Sequence, residues 1–105
     1  MTMLMRGVSI SSMIASFGDS ETEALFKRQR VRRIDSRIQR VALRKLVMLD
    51  AAVTLEDLKV PRGNRLEALK GDRAGGHSIR VNEQWRIVFA WRDGRAFDVR
   101  VEDYH

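Results

Sequence analysis

Residues 85–102 read WRIVFAWRDGRAFDVRVE, and this stretch decides the fold. Its two halves flank Asp93-Gly94, a dipeptide typical of the tight turn in a β-hairpin. In each half the large apolar residues occupy every second position, which is the period of a strand with one buried face. These residues are Trp85, Ile87, Phe89 and Trp91 before the turn, then Phe97, Val99 and Val101 after it. The pattern predicts an antiparallel hairpin with one apolar face and one charged face.

The hydrophobic pattern also predicts the register of this hairpin. A two-residue loop would place Phe89 opposite Asp98 and bury a charge. A three-residue loop over 93–95 with a glycine bulge avoids this, and we therefore expect it. The same reasoning applies to the turn at 82–84. The expected pairs are Trp91–Phe97, Phe89–Val99 and Ile87–Val101 in the hairpin, and Val81–Trp85 and Ile79–Ile87 across the earlier turn.

The first half of the chain predicts two helices. Acidic residues at 19–23 stand where the dipole of a first helical turn favours them. Apolar residues then recur at helical spacing from about 35 to 51. The predicted elements are a strand at 13–17, helices at about 19–28 and 35–51, a capped turn at 54–58, and strands at 65–69, 77–81, 85–91 and 96–102. Because the helices must cover the apolar sheet face, we expect an α+β fold, a small twisted, mainly antiparallel sheet with two N-terminal helices packed on one face.

The composition indicates one globular domain. The 105 residues suffice for a modest core and are too few for two domains. The chain has no cysteine, which excludes disulfides and thiol catalysis, and no apolar run approaches the ~20 residues of a membrane helix. Residues 1–12 make a weak signal peptide, so we expect a cytoplasmic protein without a membrane partner.

Positive charge is concentrated in one segment. The net charge is +6, and residues 27–45 contain nine basic residues and one acid. Such a segment attracts phosphate backbones or an acidic protein. The alternative is an ordinary solvated helix face. The candidate RNA-binding residues within the segment are Arg37, Arg40 and Arg44.

The charged face of the sheet is a second candidate RNA surface. With the expected register, Glu102 lies opposite Arg86 on this face. The face also displays Arg80, Arg92, Arg100 and Tyr104. A sheet with arginines and a tyrosine on its open side suits RNA, because these side chains contact phosphates and stack on bases.

Several of these residue types also suit RNA cleavage. The RNA 2′-hydroxyl attacks the neighbouring phosphate, and a protein assists by removing that proton, stabilising the phosphorane and protonating the leaving 5′-oxygen. Arg and Lys suit the second task, and His suits the first or third. The chain carries them at 70–73 (KGDR), 84–87 (QWRI) and 103–105 (DYH). Structural roles remain open: 70–73 as a plain turn, Arg86 as the partner of Glu102, and His77 as a core residue.

The motifs together resemble those of a known family. In chain order they are 13–17 (MIASF), 66–73 (LEALKGDR), 77–81 (HSIRV), 84–87 (QWRI) and 102–105 (EDYH). This series is similar to that of the HigB toxins of the RelE/ParE superfamily, also called the plasmid maintenance system killer family. The resemblance covers about 13–105. We therefore expect 1–12 to be an N-terminal extension or a segment left over from cloning, and 13–105 to be the RelE-like toxin domain.

The resemblance implies a function, partners and site residues. It implies the toxin of a type II toxin–antitoxin pair, which cuts mRNA in the ribosomal A site without a metal or organic cofactor. The implied partners are the ribosome, mRNA and a HigA-type helix-turn-helix antitoxin, with operator DNA bound only through the antitoxin complex. The implied catalytic residues are Lys70, Asp103, Tyr104 and His105, and the implied RNA-binding residues are Arg73 and Arg86. Arg80 is added as an RNA-binding candidate from the charged face of the sheet.

One departure from the family pattern leaves the acid–base chemistry open. Some members have a histidine three residues before the motif lysine, where this chain has Glu67. The role then passes to Glu67 or His105, or the activity is weaker. Glu67 is also interpreted as a carboxylate that neutralises Lys70. Two alternative functions remain, a ParE-like inhibitor of DNA gyrase and a basic RNA-binding relative with little catalysis.

Overall fold

The computed structural model describes residues 13–103, which form two helices followed by a four-stranded antiparallel sheet. This arrangement confirms the expected α+β fold. The helices are α1 (Ser20–Phe26) and α2 (Gln39–Ala51), and the strands are β1 (Glu67–Ala68), β2 (Gly76–Arg80), β3 (Trp85–Arg92) and β4 (Arg95–Asp103). The predicted segments 1–12, Tyr104 and His105 lie outside the described residues.

The sheet has the strand order β1-β2-β3-β4, and each strand is antiparallel to its neighbour. Ile79 pairs with Ile87, and Ile87 pairs with Val101, as the hydrophobic pattern predicts. The Val81 N–H donates to the Trp85 carbonyl at 2.9 Å, which confirms the expected turn at 82–84. The first strand is shorter than predicted, because only Glu67–Ala68 pairs with β2.

The loop of the β3–β4 hairpin differs from the prediction. Arg92 pairs with Arg95 around a two-residue turn, in which Asp93 and Gly94 have φ of 52° and 76°. The extra residue sits inside β4 as a bulge, where Asp98 has φ of 54° and the register shifts between Val88 and Ala90. The expected three-residue loop and the Trp91–Phe97 pair are therefore wrong. The bulge keeps the Asp98 charge out of the core, as the three-residue loop was expected to do, because it leaves Asp98 exposed.

Residues 13–17 run parallel to β4 along its outer edge. They form isolated bridges, Ile14 with Ala96 and Phe17 with Val99, in place of the continuous strand predicted. Backbone hydrogen bonds of 2.7–3.1 Å join this segment to Ala96 and Val99. The segment thereby covers part of an edge that would otherwise expose unpaired backbone groups.

The two helices pack on one face of the sheet and enclose the core. The fully buried members of this core include Ala42, Leu46, Leu49, Leu58, Ile79, Ile87, Val99 and Val101. Asp19 caps α1 by accepting from the Thr22 N–H at 2.7 Å, and Thr54 with Asp57 forms the predicted capping box before the short turn Leu55–Lys59. No helix within residues 13–103 is both long and apolar enough to cross a membrane.

Candidate active site

The face of the sheet opposite the helices carries a cleft beneath a loop. The loop between β1 and β2 contains the helical turn Gly71–Arg73, and Gly71 and Gly75 adopt φ of 70° and 95° on either side of it. It encloses a cleft of about 490 Å³ with β3 and β4. The cleft is lined by Leu69, Arg73, Ala74, Gly75, Gly76, Val88, Phe89, Ala90, Trp91, Arg92, Asp98 and Arg100.

One carboxylate holds two arginines at this face. Glu102 Oε2 lies 2.7 Å from Arg73 Nη2 and 3.9 Å from Arg100 Nε. Arg73 comes from the loop between β1 and β2, whereas Glu102 and Arg100 lie on β4. The contact between Arg73 and Glu102 therefore joins the loop to β4. Both guanidinium groups keep more than two-fifths of their side-chain surface exposed. Each therefore retains donors that can face a phosphate.

Arg86 lies on the same face but its side chain is buried. Its Nε donates to Ser78 Oγ at 2.8 Å, and its Nη2 donates to the Arg65 carbonyl at 2.7 Å. Only 8% of Arg86 is exposed. The register places Glu102 opposite Arg86, as predicted. The guanidinium primarily joins β3 to β2 and to the turn before β1.

Glu67 faces Arg86 rather than Lys70. Its Oε1 lies 3.9 Å from Arg86 Nη2, and the Glu67 side chain is 56% exposed. Lys70 precedes the Gly71–Arg73 turn, is exposed, and makes no ion pair within residues 13–103. The interpretation of Glu67 as the partner of Lys70 therefore finds no contact, and the lysine ammonium is available to a ligand.

The end of β4 carries Asp103, the first residue of the terminal motif. Asp103 pairs with Trp85 and accepts a hydrogen bond from Gln84 Nε2 at 3.0 Å. Asp103 is exposed, and it is the last residue described before Tyr104 and His105. Arg80 lies beside this end on β2, is half-buried, and approaches Glu83 to 4.0 Å.

The basic residues of the helical layer are separate from the cleft. Arg37 pairs with Asp35, and their side-chain hydrogen bond lowers the pKa of Asp35 to about 2. Arg40 and Arg44 are exposed on α2 and make no ion pair within the described part of the chain. Because α2 packs on the apolar sheet face, its exposed Arg40 and Arg44 lie in the layer opposite the cleft, and Arg37 lies in the turn just before α2.

Two cleft residues, Arg92 and Arg100, are predicted on the charged face of the sheet by the alternation of β3 and β4, but neither is named among the predicted site residues. The Arg92 guanidinium lies 4.2 Å above the Phe97 ring, whereas Arg100 reaches Glu102. Ser78 was also missed, because nothing in the sequence shows that a neighbouring arginine captures its hydroxyl.

The arrangement offers cations, an exposed carboxylate and a concave surface, which suits a polyanion better than a neutral ligand. Lys70, Arg73 and Arg100 supply positive charge, and Glu67 supplies the exposed carboxylate. Within residues 13–103, no three His, Asp or Glu side chains form a cluster that could hold a metal ion.

Comparisons with known proteins identify the family of this chain. Residues 15–105 match the family of HigB-like toxins, described as RelE-like toxins of type II toxin–antitoxin systems. The chain is 41% identical over 93 residues to Toxin HigB-1 of Vibrio cholerae, covering 88% of this chain and 98% of the relative. It is 35% identical over 101 residues to Endoribonuclease HigB of Proteus vulgaris, covering 89% and 100%. This chain thus belongs to the HigB-like family of toxins from type II toxin–antitoxin systems.

Proposed function

We propose that this toxin is an endoribonuclease that cuts mRNA in the ribosomal A site and thereby halts translation. The observation that carries the proposal is the pair of arginines, Arg73 and Arg100, held on Glu102 two residues before Tyr104. This pair places two planar cations beside the strand end that carries the terminal motif. The Proteus vulgaris relative is named an endoribonuclease, which supports the same activity.

The proposed reaction is an internal transfer of the phosphoryl group. A base takes the proton of the 2′-hydroxyl, and the resulting 2′-oxygen attacks the adjacent phosphorus. The bond between phosphorus and the 5′-oxygen breaks, and an acid protonates that oxygen. The products are a 2′,3′-cyclic phosphate and a 5′-hydroxyl end, so neither water nor a redox partner is consumed. The protein must supply a base, an acid and cations for the phosphorane.

The cations are assigned to Lys70, Arg73 and Arg100. The Lys70 ammonium is exposed and can approach a phosphate oxygen as a point charge. Arg73 and Arg100 offer planar forks, which match two phosphate oxygens at once. Removal of one preorganised donor from such a site typically costs about 10²–10³ in kcat.

Proton transfer is assigned to Glu67 and His105. Glu67 is an exposed carboxylate whose Oε1 lies 3.9 Å from Arg86 Nη2, and its position on the open face suits it to the role of base. Histidine side chains ordinarily have a pKa of about 6.5, and for this reason the acid is assigned to His105. Asp103 orients the strand end through Gln84, and Tyr104 stacks on a base.

The remaining arginines of the open face are assigned to binding. Arg80 contacts the RNA backbone beside the strand end. The buried Arg86 meets RNA only at the edge of its guanidinium, and it acts mainly by holding Ser78 and Glu67 in place.

The partners follow from the family and from the charge distribution. As a type II toxin, the chain has an antitoxin partner. We propose that this antitoxin is a HigA-type helix-turn-helix protein, and that operator DNA is bound only by the complex. Arg37, Arg40 and Arg44 dock on ribosomal RNA while the cleft faces the message. Action on ribosomes places the toxin in the bacterial cytoplasm.

The test is cleavage of a defined mRNA on programmed 70S ribosomes. We compare wild type with Lys70→Ala, His105→Ala and the control Lys59→Ala, which removes an exposed lysine that pairs with Glu56. We expect cuts in A-site codons, dependence on ribosomes, and a kcat lowered about 10²-fold or more by the first two changes. Lys59→Ala should cut like the wild type.

Two outcomes would contradict parts of this proposal. If freshly prepared wild-type protein leaves mRNA intact on ribosomes, the nuclease function is wrong, and a gyrase supercoiling assay then tests the ParE-like alternative. If both variants cut at the wild-type rate, the function stands and the assignment to Lys70 and His105 fails.

A further inference from the structure

The outer edge of β4 is held by side chains at Val101, close to the terminal motif. Val101 pairs with Ile87 across β3, and its own N–H and C=O both bond to groups outside the sheet. In an antiparallel strand these two groups of one residue point to the same side. At Val101 that side faces the helical layer, and no backbone group of residues 13–103 outside the sheet bonds to it.

Thr22 of α1 satisfies the N–H of Val101. The Val101 N–H donates to Thr22 Oγ1 at 2.9 Å, and both residues are fully buried. An amide buried without a partner is strongly disfavoured, so this hydroxyl fixes the distance between α1 and β4. The hydroxyl of Thr22 thus serves as the acceptor for a buried N–H of β4.

Arg33 satisfies the carbonyl of the same residue. Its Nη1 and Nη2 each donate to the Val101 carbonyl at 3.1 Å, and Nη2 also contacts Asp19 Oδ2 at 3.2 Å. Asp19 Oδ1 in turn accepts from the Thr22 N–H at 2.7 Å. The four residues form a closed ring that runs from Thr22 to Asp19, to Arg33, to Val101 and back to Thr22.

The ring is a connection between three elements rather than an ordinary surface ion pair. Asp19 belongs to the start of α1, Arg33 to the segment between the helices, and Val101 to β4. The ring contacts β4 two residues before Asp103, three before Tyr104 and four before His105. Any displacement of this strand end therefore requires the ring to open.

We infer that Thr22 and Arg33 are positioning residues that hold the end of β4, with Glu102 and Asp103, in the geometry for RNA cleavage. The inference rests on the proposed nuclease function. Neither residue reaches the open sheet face, so their effect passes through the backbone of Val101. A reacting group displaced by about 1 Å costs up to about 10²-fold in rate, so the expected effect is on kcat rather than on substrate binding.

The first experiment compares Thr22→Val with Thr22→Ser in the ribosome cleavage assay. Valine keeps the shape and loses the hydroxyl, whereas serine retains it, and neither change alters the net charge. We expect Thr22→Val to lower kcat about 10- to 100-fold with KM unchanged, and Thr22→Ser to restore most of the activity. Rates are normalised to the folded fraction, because a purely stabilising contact would leave the kcat of folded molecules unchanged.

Amide hydrogen exchange gives a readout that does not depend on catalysis. Peptides covering 99–105 should exchange faster in Thr22→Val and in Arg33→Met than in wild type. The control is Arg62→Met, which removes the same side chain from an exposed turn. This control should match wild type in both exchange and kcat, although it carries the same loss of charge as Arg33→Met.

The outcomes separate the two proposals. Wild-type kcat and wild-type exchange in Thr22→Val and Arg33→Met would overturn the positioning role while leaving the nuclease function intact. An inactive wild type would instead overturn the nuclease function. If Thr22→Val does not fold, Arg33→Met against Arg62→Met decides the question, because the Arg33 side chain is 41% exposed and its loss opens no core cavity.

Discussion

At the scale of single residues, His77 is a polar side chain that packs against the core although one of its ring nitrogens lacks a hydrogen bond within residues 13–103. Its ring stacks on Phe89 with the centroids 6.1 Å apart, and its Nδ1 is buried without a hydrogen-bond partner within residues 13–103. Burial lowers the pKa of His77 from its usual 6.5. The alternation of β2 predicts this inward position, and the prediction of a structural histidine fits these contacts.

This histidine predicts a pH dependence of stability. Below about pH 6.5 the unfolded chain binds a proton that the folded His77 resists, so the free energy of unfolding falls as the pH falls. His77→Phe removes the titrating group and keeps an aromatic ring against Phe89. We expect urea unfolding at pH 7.5 and pH 5 to show a larger loss of stability for wild type than for His77→Phe. Equal losses would mean that His77 accepts its proton freely in the folded state.

The arginines of the open sheet face show which contacts of the site a sequence can predict. Alternation along β3 and β4 predicts that Arg86 and Glu102 are neighbours, and the register confirms it. The contact between Arg73 and Glu102 joins residues 29 positions apart, and it depends on how the loop folds back over the sheet. No local pattern encodes that path, so the residue types of the site were predictable and their partners were not.

At the scale of elements, the hairpin between β3 and β4 shows where pattern reasoning stops. The sequence predicts both strands, and it predicts that one extra residue must be absorbed to keep charge out of the core. The extra residue is absorbed at Asp98 in the strand rather than at the turn. Asp93-Gly94 already satisfies a two-residue turn with both φ positive, which left the strand as the place for the bulge.

The bulge predicts a matched pair of stability effects. Asp98 has φ of 54°, a conformation that aspartate tolerates and that a β-branched residue strongly resists. We expect Asp98→Val to lower the free energy of unfolding by about 1–2 kcal/mol, and Asp98→Gly to change it by less than about 0.5 kcal/mol. Urea unfolding at neutral pH measures both values. The assigned bulge would be wrong if valine proved as stable as aspartate.

At the scale of the whole molecule, positive charge occupies two opposite sides. One side is the open sheet face with Lys70 and the Glu102-bound arginines, and the other is the exposed side of α2. The sheet and its helical layer separate them. A ligand that meets both sides at once must surround the protein, as the proposed ribosomal site would. This geometry favours chemistry in the cleft and docking on the helices.

The separation predicts that the two sides affect different kinetic constants. Arg40→Glu with Arg44→Glu should raise the KM for programmed ribosomes and leave kcat at saturation unchanged. The slope of log affinity against log salt should flatten by about 2, because each lost phosphate contact removes about one unit. Arg73→Ala should instead lower kcat, since it removes a cation from the cleft rather than from the docking side.

A charge-matched control decides whether docking is local. Lys59→Glu with Arg62→Glu changes the net charge by the same amount on an exposed turn outside both surfaces. If α2 docks on ribosomal RNA, this control should weaken binding far less than the α2 pair at every salt concentration. If both double variants weaken binding equally, the basic segment is only a solvated helix face. It then contributes to binding only through the positive electrostatic potential of the whole protein. The ribosome would then hold this toxin through its cleft alone.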